Sequence, residues 1–321
     1  MTKSLQWPSV FQAEYVLRPL QYGRRLYAGL NRPRGLSTTV RLPWGLRLNV
    51  NPNEDIGRAV VRRGLYETEV VELLWRLTLP EDTVIDAGAN IGYMSSVFAA
   101  RLGPRGKLFS FEPHPEIFAR LEANAGLWRD DGAECQIRLR QVALGSEKGA
   151  AILQLPEFFA NNQGTAFIGK PEAISPSNGE MSVEVASLAD ELGPHADIGV
   201  VKLDVEGHEL EILKGMLPML EARRVRDIVF EEHNEFPALT HNYLKSFGYS
   251  VFGVARRWWG LVCRLDEAPN RSRAASPDQL AVWPHALGYC GHEGTPHSDR
   301  RPARRRHFTE QNPHAGLPRP G

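Results

Sequence analysis

The run Val84-Ile85-Asp86-Ala87-Gly88-Ala89-Asn90-Ile91-Gly92-Tyr93 decides the fold. An apolar strand over Thr83–Ala87 feeds a glycine turn that opens a helix, predicted over Tyr93–Arg101. Gly88 lets the backbone turn tightly and lets a ligand come close. Gly92 lets the helix pack near the strand. The helix N-terminus then stands at the carboxyl edge of the strand, where open α/β sheets bind ligands.

Two nucleotide cofactors compete for such a turn. A dinucleotide presents a pyrophosphate, which needs a helix N-terminus free of carboxylates. S-adenosylmethionine has no phosphate and carries an ammonium and a sulfonium. Asp86, two residues before the first glycine, repels the former and attracts the latter. Asn90 replaces the middle glycine of a dinucleotide fingerprint and offers a side-chain amide. Both departures favour S-adenosylmethionine. Glu112 ends the next strand in Phe109-Ser110-Phe111-Glu112-Pro113, twenty residues after Gly92, at the position of an acid that accepts the ribose hydroxyls of either cofactor. In the plainer alternative, Asp86 and Glu112 only cap helices.

Outward from this turn, strands and helices alternate. A hairpin is expected over Thr38–Val50 around Pro43-Trp44-Gly45, and one helix over Asp55–Leu77. Further strands are expected at Lys107–Phe111, Gln136–Leu144, Ile198–Leu203 and Asp227–Phe230, with helices at Pro115–Leu127 and Glu209–Leu220. The alternation predicts a Rossmann-like α/β fold, a mostly parallel sheet with helices on both faces. Ala150–Ala186 breaks the pattern and reads as an insertion of strands and loops. Its turn Asn161-Asn162-Gln163-Gly164-Thr165 is either a substrate loop or a plain turn. The expected organisation is an N-terminal arm over 1–36, the catalytic domain over 37–285 and a disordered Pro/Arg/His-rich tail over 286–321.

Ile198–Val205 should be apolar throughout if central, yet Lys202, Asp204 and Glu206 alternate with Leu203 and Val205. At strand period these charges share one face at the carboxyl end. Buried charge must pair or meet a ligand. One reading is a salt bridge of Lys202 to Asp204 or Glu206 with a cap for the next helix. The other sets Asp204 and Glu206 beside a methyl donor. The following strand end, Glu231-Glu232-His233-Asn234, brings more acids and an imidazole to the adjacent position. Asp204, Glu206 and His233, with Lys202, are therefore the catalytic candidates, since an alcohol nucleophile needs a base. Together with Glu231 these groups suit Mg²⁺ through oxygen ligands, but nothing in the spacing requires a metal. His208, on the helix side of the glycine, is expected to face solvent.

The bulk composition narrows the classes. The chain has 321 residues, with 38 basic and 38 acidic side chains, so no global charge draws it to nucleic acid or an anionic membrane. Three separated cysteines and no CxxC pair suggest neither a disulfide framework nor a thiolate zinc site. Neither a signal-peptide pattern nor a transmembrane segment is found, and a cytoplasmic protein is expected. The run Arg300-Arg301-Pro302-Ala303-Arg304-Arg305-Arg306 reads as solvated tail charge, and no nucleic-acid partner is expected.

Taken together, Val84–Gly92, Phe109–Pro113 with Asn124 downstream, Val142–Gly145, Lys202–Gly207 with Leu210, and Phe230–His233 resemble the FkbM family of S-adenosylmethionine-dependent methyltransferases. Pro43-Trp44-Gly45 and Gly64-Leu65-Tyr66-Glu67 also look like that family. The resemblance runs from about Thr38 to about Tyr249. It implies a class I methyltransferase fold with a seven-stranded sheet, Ala143 among the cofactor contacts with Asp86, Gly88, Asn90, Gly92 and Glu112, and mostly O-methylation of a small-molecule or glycan hydroxyl. A nicotinamide oxidoreductase remains the alternative within enzymes, and an RNA-binding module the alternative outside them. The sequence does not name the acceptor or the oligomeric state.

Overall fold

A computed structural model describes residues 37–155, 167–169, 180–232, 239–257, 260–265 and 286–291. The N-terminal arm, the Asn161–Thr165 turn, His233 and the arginine-rich run lie outside the described residues.

The central sheet is built from strands β3 (Thr83–Ala87), β4 (Lys107–Phe111), β5 (Gln136–Arg140), β10 (Ile198–Leu203), β11 (Val225–Glu232), β12 (Ser250–Arg257), β13 (Gly260–Leu265) and β14 (Ala286–Gly291). Their order across the sheet is β13-β12-β14-β11-β10-β3-β4-β5. β5, β4, β3, β10 and β11 pair in parallel, while β14 pairs antiparallel with both β11 and β12. The order of β3 changes hands at the middle of the sheet: β4 lies on one side and β10 on the other. That switch point opens a crevice at the strands' carboxyl ends.

Both faces are covered, as strand period requires. On one face, Val84, Leu108, Val200 and Val229 pack with residues of α2 (Thr68–Leu77), α3 (Tyr93–Arg101) and α4 (Pro115–Asp130). On the other, Ile85, Phe109, Val201 and Ile228 pack with α6 (Glu209–Gly215), α7 (Leu217–Glu221) and α8 (Leu239–Ser246). Fully burying an aliphatic side chain contributes about 1.5–3 kcal/mol, so this two-sided apolar packing is what holds the strand ends in register.

Several boundaries differ from the sequence expectation. The single helix over Asp55–Leu77 is two, α1 (Asp55–Arg63) and α2, because Gly64 caps α1 in the left-handed region at φ 80°. Gln136–Leu144 is also two strands: β5 ends at Arg140, and β6 (Ala143–Leu144) joins a second sheet of order β6-β9-β7-β8. That sheet contains the insertion, as β7 (Gly149–Gln154), β8 (Phe167–Gly169) and β9 (Glu180–Ala186), and is followed by the short helix α5 (Leu188–Leu192). Glu209–Leu220 breaks near Pro218, which cannot continue the hydrogen-bond ladder. The hairpin is present as β1 (Thr38–Arg41) and β2 (Arg47–Val50), paired antiparallel.

Two corrections bear on the domain. The central sheet has eight described strands rather than seven, the extra one being the edge strand β13. The expected tail begins too early: Ala286–Gly291 is β14, inserted between β11 and β12. The polar, Pro- and Arg-rich sequence that follows residue 291 masks the strand character of these six residues.

Among the described strands, β12 joins the parallel sheet through β14. Truncation after His285 therefore detaches the β12–β13 hairpin and is expected to unfold the domain or lower its melting temperature by more than ~5 °C. Truncation after Gly291 is expected to leave it within ~1 °C, because the remaining composition lacks apolar groups to bury. Differential scanning calorimetry of the two chains checks this, and equal melting temperatures would contradict it.

Candidate functional site

The glycine turn is fastened to the strands on both sides. The N–H groups of Gly88 and Ala89 both donate to the carbonyl of Phe111, at 3.1 and 2.9 Å, which ties the turn to the end of β4. On the other side the Asp204 N–H donates to the Ala87 carbonyl at 3.3 Å. Gly88 has φ 71°, and a Cβ there would lie 1.9 Å from the Asp204 carbonyl oxygen. The close approach that demands glycine is thus made by the chain itself, by the end of β10. A Cβ at Gly92 would lie 2.6 Å from the Trp128 ring and 2.7 Å from Leu121, so this glycine admits α4 rather than the strand.

Asp86 does not face a ligand. It is 0% exposed, beneath the turn. Ser95 Oγ donates to its Oδ2 at 2.6 Å, and Lys202 Nζ stands 3.2 Å from its Oδ1. Burial pushes its pKa up while Lys202 opposes that shift. The expectation that Asp86 attracts a ligand ammonium directly is therefore corrected: its charge is spent on Lys202 and on holding α3. Ala143 is likewise turned away, its side chain clustered with Leu153, Val183 and Val185 of the second sheet.

Glu112 follows directly on the end of β4 and is 7% exposed. It accepts from the Asn90 N–H at 3.0 Å through one carboxylate oxygen and from the His114 N–H at 2.9 Å through the other. Each oxygen keeps a second lone pair for another donor. Burial raises its pKa to about 7 against the opposing effect of these two N–H groups. Asn90 adopts φ 50° and accepts the Ile91 N–H on its own Oδ1, the local bond that lets Asn tolerate this region. Asn124 braces the same turn, donating to the Ile91 and Asn49 carbonyls at 2.8 and 3.1 Å.

The second half of the site is acidic. Lys202, 5% exposed at its side chain, has Nζ 3.1 Å from Asp204 Oδ2 and 3.2 Å from the Gly88 carbonyl that accepts its proton. Burial disfavours its charge, but Asp204 and Asp86 outweigh this and its pKa rises. The expected Lys202–Asp204 ion pair is present. It does not exhaust Asp204, whose side chain remains 31% exposed. Glu231, at the end of β11, hydrogen-bonds Asp204, and burial followed by repulsion from Asp204 and Glu67 raises its pKa. Glu206 no longer follows strand alternation: β10 ends at Leu203, and Glu206 sits in the next turn at φ 52°. Its electrostatic effect reaches Glu231. His208 is half-buried near Gly145 rather than facing solvent, and burial lowers its pKa.

Tyr66 and Glu67 belong to this cluster and were not among the expected site residues. They occupy the break between α1 and α2 that the single-helix reading concealed. Tyr66 donates its backbone N–H to the Tyr93 hydroxyl oxygen at 2.9 Å and packs edge-on against that ring, and Trp44 from the hairpin does the same from its other side. Glu67 takes φ 41°, accepts a hydrogen bond from the Tyr66 hydroxyl, and interacts with Asp204 and Lys202. The signal that could have found them was Gly64, a helix stop inside an otherwise periodic run. Among the described residues no group of three or more His, Cys, Asp or Glu is arranged to hold a metal ion.

Residues 86–251 match the family described as Methyltransferase FkbM domain. The chain belongs to the FkbM family of methyltransferases. It is 32% identical over 193 residues to the hexuronic acid methyltransferase AglP of Haloferax volcanii, covering 59% of this chain and 71% of that one. It is 29% identical over 243 residues to the 31-O-demethyl-FK506 methyltransferase FkbM of Streptomyces tacrolimicus, covering 66% and 89%. Among solved structures it is similar to the methyltransferase FkbM of Methylobacillus flagellatus, with 16% identity and a TM-score of 0.41 over 71% of this chain and 46% of that chain. The FkbM match supports an S-adenosylmethionine-dependent methyltransferase over the nicotinamide oxidoreductase. No described helix is long and apolar enough to cross a membrane.

Glu67 weakens the fold it belongs to. A non-glycine residue in the left-handed region costs on the order of 1–3 kcal/mol, and burial with the neighbouring Asp204 raises its carboxyl from 4.5 to about 7. Between those pH values the folded form holds a proton the unfolded form has lost, so this contribution to stability is full below pH 4.5 and is lost as pH rises to about 7. Glu67→Gln, which cannot ionise, is expected to raise the melting temperature at pH 8 by at least ~2 °C and to leave it nearly unchanged at pH 4.5. Equal shifts at the two pH values, or a fall at pH 8, would contradict the assignment.

Proposed function

We propose that this methyltransferase transfers a methyl group from S-adenosylmethionine to a hydroxyl of a sugar, glycan or secondary metabolite, with Asp204 as the base. The observation that carries the reading is the position of Asp204. Its backbone touches the glycine turn, its carboxylate pairs with the buried Lys202 at 3.1 Å, and its side chain remains partly open.

The residues fit the cofactor in two respects. Glu112 offers unfilled lone pairs on a buried carboxylate at the end of β4, the arrangement that binds a ribose diol. The turn over Gly88–Gly92 is braced by backbone bonds and by Asn124, so it is formed in advance of binding. S-adenosylmethionine, when bound, supplies an activated methyl carbon whose sulfur leaves neutral. Gly88, Asn90, Gly92 and Glu112 are the residues assigned to hold it, with Asp86 acting beneath the surface by fixing Lys202 and Ser95.

The chain's own work is then positioning and proton removal. Holding an acceptor oxygen in line with the methyl carbon contributes up to ~7–11 kcal/mol. As the new O–C bond forms, the acceptor O–H bond breaks and its proton passes to the Asp204 carboxylate. A positioned base typically accelerates such a step by ~10²–10⁴. The positive charge of Lys202, 3.1 Å away, favours the proton-accepting carboxylate form of Asp204. Glu206 and His233 are assigned to the acceptor side as well, Glu206 in the turn after β10 and His233 by its place in the sequence after Glu231 and Glu232. The names of the relatives, a hexuronic acid methyltransferase and a 31-O-demethyl-FK506 methyltransferase, support a hydroxylated acceptor.

Two substitutions separate the two halves. Glu112→Ala removes charge-assisted hydrogen bonds of about 1.5–3 kcal/mol each, and calorimetry is expected to show S-adenosylmethionine affinity reduced at least tenfold. An unchanged affinity would remove Glu112 from the cofactor site. Asp204→Asn should bind S-adenosylmethionine nearly as the parent does but transfer methyl at least a hundredfold more slowly, read by label transfer to a hydroxylated acceptor. A full rate per folded molecule would reduce Asp204 to an ion-pair partner of Lys202.

A further inference from the structure

Among the described residues, the outer edge of β2 is closed by side chains rather than by a third strand. The N–H groups of Arg47 and Asn49, two residues apart, leave the same edge of that strand. The Arg47 N–H donates to Asp131 Oδ2 at 2.7 Å, and the Asn49 N–H donates to Asn124 Oδ1 at 2.7 Å. Asn124 lies in α4 and Asp131 directly after it, seven residues on, so both stand on one face of the helix. Asn124 does more than close that edge. It is fully buried, and its Nδ2 donates to the Asn49 carbonyl at 3.1 Å and to the Ile91 carbonyl at 2.8 Å. One amide thus joins the hairpin, α4 and the glycine turn, with its oxygen and both its protons engaged. The first half of that turn hangs on the Phe111 carbonyl through Gly88 and Ala89. The second half carries the Asn90 N–H that donates to Glu112 at 3.0 Å. Among the described residues, the hydrogen bond that grips this half from another element, Glu112 itself aside, is the one made by Asn124.

We propose that Asn124 is a positioning residue for the cofactor. By holding the Ile91 carbonyl against α4 and the hairpin, it keeps the Asn90 N–H on Glu112 and so sets the orientation of the carboxylate that meets the ribose. The inference rests on the reading that Glu112 binds S-adenosylmethionine. A carboxylate held on each oxygen by a fixed N–H, from Asn90 and from His114, presents its remaining lone pairs in one direction. Loss of the Ile91 anchor frees one of those two donors, and the carboxylate then has to be ordered again when the ligand binds. Affinity falls by that ordering cost. The hairpin, although distant from Glu112 in sequence, thereby becomes part of the cofactor site.

The experiment titrates S-adenosylmethionine into the full chain by calorimetry, as the parent, as the Asn124→Ala, Asn124→Leu, Asp131→Ala and Glu112→Ala variants, and as the Asn124→Ala, Glu112→Ala pair. Hydrogen exchange of the segment 88–92 is followed in the parent and the Asn124 variants without ligand. Both Asn124 variants are expected to bind about fivefold more weakly or worse, within the range that loss of a hydrogen bond spans, and to exchange the segment faster than the parent. Asn124→Leu fills the space of the amide, which separates the lost bonds from a cavity effect. Asp131→Ala removes two hairpin bonds but leaves Ile91 anchored, and its affinity should stay within about twofold of the parent. In the Glu112→Ala background, Asn124→Ala should add less than about twofold, because it acts through that carboxylate. Parent-like affinity or exchange in the Asn124 variants, an equal loss in Asp131→Ala, additive losses in the pair, or failure of both Asn124 variants to fold overturns the inference. A Glu112→Ala chain that binds as the parent does overturns instead the reading on which it rests.

Discussion

The buried ammonium of Lys202 is the interaction on which the site depends. It lies within 3.2 Å of Asp86, Asp204 and the Gly88 carbonyl, and thereby joins β10, the end of β3 and the glycine turn. An unpaired charge at this depth would cost several kcal/mol. Removing the lysine would leave a fully buried aspartate beneath the turn and a second one beside it. Through Asp86 the network continues to Ser95 and Ser110, so the orientation of α3 is coupled to the charge state of the site. Breaking such a pair on one side is far more damaging than never having had it.

The two halves of the crevice are built on different principles. On the β4 side, backbone N–H groups and one braced carboxylate shape a rigid receptor. Asn124 and the hairpin residue Asn49 reinforce it from outside through three hydrogen bonds. On the β11 side, side-chain acids repel one another and the backbone is strained. Of the four described non-glycine residues in the left-handed region, Glu67, Asn90 and Glu206 ring the site and only Arg223 lies elsewhere. Strain gathered at one place in an otherwise relaxed fold marks where structure has been held against its own preference.

The turn and its strands were legible from sequence because local rules agree there. Apolar periodicity, glycine placement and the twenty-residue spacing to Glu112 all specify the same local structure, and the boundaries Thr83–Ala87, Tyr93–Arg101 and Lys107–Phe111 coincide with the observed elements. The acids at Asp204 and Glu231 were also legible, since charge in a central strand has few explanations. What was hidden depended on long-range packing. Asp86 looked like a ligand group because nothing local shows that Lys202, more than a hundred residues later, covers it. The periodicity of Val60, Val61, Leu65, Val70 and Leu73 spanned a helix break, and with it concealed Tyr66 and Glu67. β14 was unreadable for another reason: its partners β11 and β12 precede it in the chain, and a polar, arginine-rich stretch follows it directly.

The burial of Asp86 also changes the electrostatics of the cofactor turn. If its carboxylate were exposed, it would discriminate against a pyrophosphate by simple repulsion. Paired with Lys202, it has its field at the turn largely offset, and the remaining acids lie beyond β10. These acids stand on the far side of the turn from Glu112. On the proposed assignment, a ligand held by Glu112 at one end spans the switch point toward the end of β10. The order of the strands then sets the direction in which the methyl group travels. On that assignment the acceptor approaches from the β11 side, where Asp204 and Glu231 stand together.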